Sequence, residues 1–125
     1  MHPKRIILFF LFSLNMFGNI PVVKTPAPSR KAILKLTIVA ANTLAESKFE
    51  HSLAASRLAI QYAMNRDDDY LIAQSYNIIS ANYEELSEVD KSIFYYKKGL
   101  TNAHVTTNDT IKNALNNNLG NIHYL

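Results

Sequence analysis

Shifted against itself by 40 residues, this chain coincides at a series of positions that a packing repeat would constrain. Ala41-Asn42 falls on Ala81-Asn82, Ser47 on Ser87, Ser52 on Ser92, Ala59 on Gly99, Ala63 on Ala103, and Ile79-Ser80 on Leu119-Gly120. A fixed period of about 20 to 50 residues marks an array of stacked units, each burying its apolar face against the next. The placement of proline says what the unit is made of. The last proline is Pro28, so from Arg30 to Leu125 no residue lacks the backbone donor that a helix needs. Ala, Leu, Lys and Glu recur through that stretch without strand-like alternation, and the whole of it reads as helix, turn, helix. The fold class is all-α, with antiparallel helix pairs stacked side by side.

The clearest helix spans about Asp69 to Leu86. Ile72, Tyr76, Ile79, Tyr83 and Leu86 are spaced by four and three, which puts them on one face. The run Asp67-Asp68-Asp69 supplies side-chain acceptors for the free N–H groups of the first turn and favours the positive end of the helix dipole. A second helix, about Val89 to His104, carries Val89, Ile93, Tyr96, Leu100 and Ala103 at the same spacing. Only a short turn around Ser87-Glu88 separates them, so the pair must be antiparallel.

On these residues the chain resembles the tetratricopeptide repeat (TPR) family. Tyr76, Ile79, Ser80 and Tyr83 fill the first-helix pattern of that family, and Ser92, Tyr96 and Gly99 fill the second-helix pattern. The first repeat offers Leu36, Val39, Ala40 and Thr43, then Ser52, Ser56 and Ala59. The third offers Leu119-Gly120 but has Asn116 and His123 where a large apolar residue and a Tyr are expected. The resemblance implies a short right-handed solenoid of about 2.5 repeats, with period 40, at 33–72, 73–112 and an incomplete 113–125. Its small residues mark places where neighbouring helix backbones approach. Gly99 and Gly120 need such a reason, because an exposed glycine inside a helix costs about 1 kcal/mol relative to alanine. The chain is also similar to exported helical-repeat sensor regions of bacterial histidine kinases and helix-turn-helix regulators.

The first residues read as a targeting segment. Lys4 and Arg5 precede an apolar run, Ile6 to Phe12, then Leu14, Met16 and Phe17. A basic head and a short apolar stretch fit a signal peptide or an N-terminal anchor over residues 1–18. Residues 19–29, with Pro21, Pro26 and Pro28, form a linker to a repeat domain over 30–125. Export to the periplasm, the medium or a membrane-anchored position follows. At its other end the chain stops after the first helix of a third repeat, about Thr110 to Leu125, with Ile111, Leu115, Leu119 and Ile122 on one face. Three outcomes are open: a longer repeat protein, a homodimer through that uncapped helix, or a terminal cap whose polar face is Asn113, Asn116, Asn117 and Asn118.

The composition argues against chemistry. No cysteine is present, which removes disulfides, thiolate metal sites and a cysteine nucleophile. Three glycines are too few for a phosphate-cradling loop. His2, His51, His104 and His123 show no metal-ligand spacing, and His104 reads as a dipole partner at a helix end. Asn108-Asp109-Thr110 reads as a helix start before a glycosylation site. Without Lys4 and Arg5, 11 basic residues face 10 acidic ones, so no nucleic-acid partner is expected of the body. No metal, cofactor or catalytic residue is assigned.

What remains is a groove. In the TPR family the contacting positions alternate with the packing ones on the first helices. Carried over, they are Gln74, Asn77, Ala81 and Glu84, then Asn117 and Asn121, with Thr37 and Ala41 in the first repeat. The lysines and arginines with which the family clamps a C-terminal carboxylate are missing here. The amides suit the backbone of an extended peptide instead. The expected function is a non-enzymatic protein- or peptide-binding scaffold in the cell envelope. The alternative is the N-terminal sensory region of a larger signalling protein with a kinase or DNA-binding output domain.

Overall fold

The computed structural model describes residues 27–123, so the leader and most of the linker lie outside the described residues. The described part is all-helical: α1 Arg30–Ala45, α2 Phe49–Asn65, α3 Asp69–Glu85, α4 Val89–Ala103 and α5 Asp109–His123.

Local chemistry sets the helix ends. Ser29 Oγ accepts from the Ala32 N–H at 3.2 Å, Asp68 Oδ1 from Leu71 at 3.1 Å and Asn108 Oδ1 from Ile111 at 3.2 Å. Each satisfies one of the donors that the first turn leaves free. The C-termini of α1, α2 and α3 are built alike. Ser47, Asp67 and Ser87 take positive φ of 60°, 53° and 60°. In the first turn the Ser47 N–H reaches Leu44 O at 2.9 Å and the Lys48 N–H reaches Thr43 O at 2.8 Å. In the third, Ser87 reaches Glu84 O at 3.0 Å and Glu88 reaches Tyr83 O at 2.8 Å. This paired closure satisfies the last carbonyls and reverses the chain in three residues. A reversal that tight lays each helix against its predecessor. The α4–α5 connection is longer, running from His104 to Asn108 without a positive-φ residue.

Consecutive helices pack together, and α3 also touches α1 and α5; among the described residues no contact joins α2 to α4. The central position of α3 shows in its burial. Leu71, Ile72, Ala73, Ser75, Tyr76, Ile78, Ile79, Ser80, Asn82 and Tyr83 are all buried, which covers most of its circumference. One core cluster joins Ile33, Leu53 and Ile60 to Leu71, Tyr76, Ile79 and Tyr83; the other joins Ala73 to Tyr96, Ile111, Leu115 and Ile122.

The helix-pair repeat has a polar counterpart in space. Ser52 Oγ donates to Ala40 O at 2.7 Å, and Ser92 Oγ, 40 residues on, donates to Ser80 O at 2.9 Å. In each pair the small residue of the second helix lets the backbones close up and ties them together.

Some expectations change. Leu86 and Val89, both on the apolar stripes that the spacing predicts, are 40% and 44% exposed, because Leu86 caps the end of α3 and Val89 opens α4, either side of the turn. Val39, a packing slot of the first repeat, is 49% exposed: α1 has a neighbour on one side only among the described residues. The stripe of the last helix goes the other way. Ile111, Leu115 and Ile122 are 3%, 0% and 5% exposed, and Leu119 is half-buried. This face packs against α3 and α4. Asn113, Asn116, Asn117 and Asn121 are exposed.

Candidate functional site

Because α3 is buried on its other sides, a single stripe reaches the surface: Tyr70, Gln74, Asn77, Ala81 and Glu84, all half-buried and spaced by four and three. Four of these are the expected contact residues. Asn117 and Asn121 are exposed on α5, and the two helices are joined at this face, since Asn118 Nδ2 donates to Asn77 Oδ1 at 2.9 Å. Asn77 keeps its own amide donors for another partner. Ala41 is exposed on α1, but Thr37 is only 4% exposed and its hydroxyl donates to Leu34 O at 2.7 Å, so Thr37 is a packing residue and no part of a groove.

Glu84 is also engaged. Its Oε2 accepts from the Tyr96 hydroxyl at 3.1 Å. Tyr96 is almost fully buried, and burial, reinforced by the nearby Glu84 carboxylate, holds its phenol well above the ordinary range. Glu84 thus braces α4 against α3 while its other oxygen remains for solvent or a ligand.

The packing residues sit as follows. Tyr76, Ile79, Ser80, Tyr83, Ser92, Tyr96 and Gly99 are buried. A methyl group on Gly99 would lie 3.0 Å from Leu115 Cδ2 and 3.2 Å from Tyr76 Cβ, so it would fit between α4, α3 and α5 only if a neighbour gave way by a few tenths of an ångström. Gly120 differs from what the repeat leads one to expect. A methyl group there would meet nothing within 4 Å among the described residues. Leu119 is half-buried.

No protein-family model, curated protein or solved structure matches this chain.

Two features escaped the sequence reading. The first is Asn82, fully buried in α3, whose Nδ2 donates to Ser52 Oγ at 2.8 Å and to Ile78 O at 2.9 Å. Through Ser52 it links α3 to α2, and through Ser52 to Ala40 O it links both to α1. The second is an aromatic ladder with cations around it. Tyr95 on α4 stacks on Tyr76 and Tyr83 of α3, with centroids 5.9 and 5.6 Å apart and interplanar angles of 21° and 13°. Phe94 meets Tyr95 edge-on at 5.1 Å and is 53% exposed. Lys91 Nζ lies 5.3 Å from the Tyr83 centroid, and Lys98 Nζ lies 5.9 Å from that of Tyr76 and 5.1 Å from that of Phe94. Arg57 Nη2 on α2 donates to the Tyr83 hydroxyl at 2.6 Å. Lys91 is tied to Glu88 at 2.6 Å, and that hydrogen bond raises its pKa. The spacing of Lys91, Tyr95 and Lys98 was a signal already present in the sequence. It places two cations on either side of one aromatic on a single helix face.

Proposed function

We propose that the helices form a short right-handed tetratricopeptide-like solenoid, and that it binds an extended protein or peptide segment along the first-helix stripe without chemistry of its own. The observation that carries this reading is the three-dimensional repetition: the same hydroxyl-to-carbonyl tie at Ser52 and Ser92, 40 residues apart, between helices closed by the same three-residue turn at Ser47, Asp67 and Ser87. The contacts of α3 with both α1 and α5 support it, because stacked first helices make one continuous face. On that face Gln74, Asn77, Asn117 and Asn121 present amides that can each donate and accept. An extended peptide backbone offers the complementary pair at every residue. Placement of the module in the cell envelope rests on the basic head and apolar run of the first residues.

The test is selection of peptides from a displayed random library on the full chain, followed by titration of the selected sequences against variants. Changing Gln74, Asn117 and Asn121 together to alanine should weaken their binding by about tenfold or more, which is about 1.4 kcal/mol, with the melting curve unchanged. Peptides that bind the triple variant as tightly as the parent would overturn the assignment of this face.

A further inference from the structure

We infer that a second surface, formed by the Tyr76–Tyr95–Tyr83 ladder with Arg57, Lys98 and Phe94, docks an acidic peptide segment that carries an apolar anchor. It is separate from the amide stripe: at 100° per residue, Tyr76 and Tyr83 lie about a third of a turn round α3 from Gln74, Asn77 and Ala81. Neither surface needs the other.

Three helices contribute. Tyr76 and Tyr83 from α3 form the floor, Tyr95, Phe94 and Lys98 come from α4, and Arg57 reaches in from α2. The ladder has a cation at each end, Arg57 on the Tyr83 hydroxyl and Lys98 over the Tyr76 ring. Seven residues of α3 separate the two tyrosines, so the ends are about 10 Å apart. That is about the reach of three residues of extended chain. Lys91 already has Glu88 as its partner, whereas neither Arg57 nor Lys98 has a carboxylate within ion-pair distance among the described residues. Phe94, under Lys98, leaves more than half of its surface to solvent, and a shallow cleft of about 280 Å³ opens at the Lys98 end of the ladder, lined by Tyr76, Lys98, Thr101 and Asn102. A carboxylate arriving here meets a cation resting on aromatic carbon, where water screens the pair less than at an open surface.

The same ingredients could suggest single-stranded nucleic acid, but the ring faces are already used. Tyr76 and Tyr83 are each 8% exposed and stacked on Tyr95, and Lys98 lies over one face of Phe94, so successive bases find no series of open rings here. Carboxylates at the two ends with a leucine or phenylalanine between them match what is left: two unpaired cations and an exposed aromatic edge.

The experiment is an NMR titration of the full ¹⁵N-labelled chain. The probe is a synthetic peptide of about ten residues, with two aspartates three apart flanking a leucine in a serine background; a second peptide has lysines for the aspartates. The acidic peptide should shift the amides of Arg57, Phe94, Tyr95 and Lys98 saturably and leave Gln74 and Asn117 unmoved. Lys98→Glu with Arg57→Glu should weaken it by about tenfold and confer binding of the lysine peptide, and Phe94→Ala should weaken it by roughly fivefold. Should Arg57→Glu disturb the helical circular dichroism, Lys98→Glu and Phe94→Ala alone carry the test, since both positions are exposed. Equal binding of the two peptides, no saturable shift, shifts confined to the Gln74–Asn117 face, or stronger shifts of the same amides by oligothymidylate would overturn the proposal. Because the probe and variants avoid the amide stripe, either surface can fail without the other.

Discussion

A buried asparagine is an expensive residue to keep inside a small helical domain, since an amide removed from water must recover its hydrogen bonds. Asn82 recovers both donors, to Ser52 Oγ and Ile78 O, while its Oδ1 has no protein donor. Ser52 serves two helices at once, accepting from Asn82 and donating to Ala40 O. Ser92 makes the second kind of bond, to Ser80 O, and has no buried amide to serve. Ser52→Ala should therefore cost about 2–3 kcal/mol, and Ser92→Ala about 1 kcal/mol. In a urea-unfolding double-mutant cycle, Ser52→Ala and Asn82→Ala should be coupled by at least about 0.5 kcal/mol. Additive values would show that the contact between the two carries nothing. Tyr96 sets a dependence on pH. Its folded pKa is raised above the unfolded value of about 10, so the folded chain holds a proton that the unfolded chain releases. The associated stability is present below about pH 10 and is lost as the pH climbs above it toward the folded pKa, by up to about 1.4 kcal/mol per pH unit. Tyr96→Phe should flatten that alkaline decline, and an unchanged slope would assign it to other groups.

The two helix-interior glycines make an opposed pair at the scale of elements. Alanine improves helix propensity by about 1 kcal/mol wherever its methyl group fits. At Gly120 it fits, so Gly120→Ala should raise the stability of α5 by up to about 1 kcal/mol. At Gly99 the methyl group meets Tyr76 Cβ, held by the α3 backbone, as well as the more yielding tip of Leu115. Gly99→Ala should lower stability by about 1–2 kcal/mol by pushing α4 from α3 and α5. Thermal unfolding of both variants decides the matter: two shifts of the same sign would mean that propensity, not helix approach, controls both sites.

For the molecule as a whole, the arrangement concentrates packing on α3, which belongs to both core clusters, and leaves α1 and α5 with partners on one side. Stability should grade accordingly. In native-state hydrogen exchange, the amides of Ile72 to Asn82 should exchange only through global unfolding, while those of α1 and α5 open at lower free energy. Uniform protection across all the helices would show that the array unfolds as one unit.

The sequence alone determined the helices, because their signals are local. Spacing by three and four, the proline-free span and the Asp67–Asp69 run at a helix start act within one or two turns, and they placed α3 and α4 to within a residue or two of Asp69–Glu85 and Val89–Ala103. The period of 40 was legible for a related reason: the hydroxyl-to-carbonyl tie uses a serine in both pairs, Ser52 and Ser92. Tertiary structure alone decided what lies beside each face. Val39 and Ile79 share a register by repeat, yet one is exposed and the other buried, because burial depends on a neighbour and not on the residue. Gly99 and Gly120 differ for the same reason. Glu84 and Asn77 read as free groove residues until Tyr96 and Asn118 came within hydrogen-bond distance. The cation-flanked ladder needed Arg57 to arrive from 26 residues away in the chain, a proximity that no local pattern encodes.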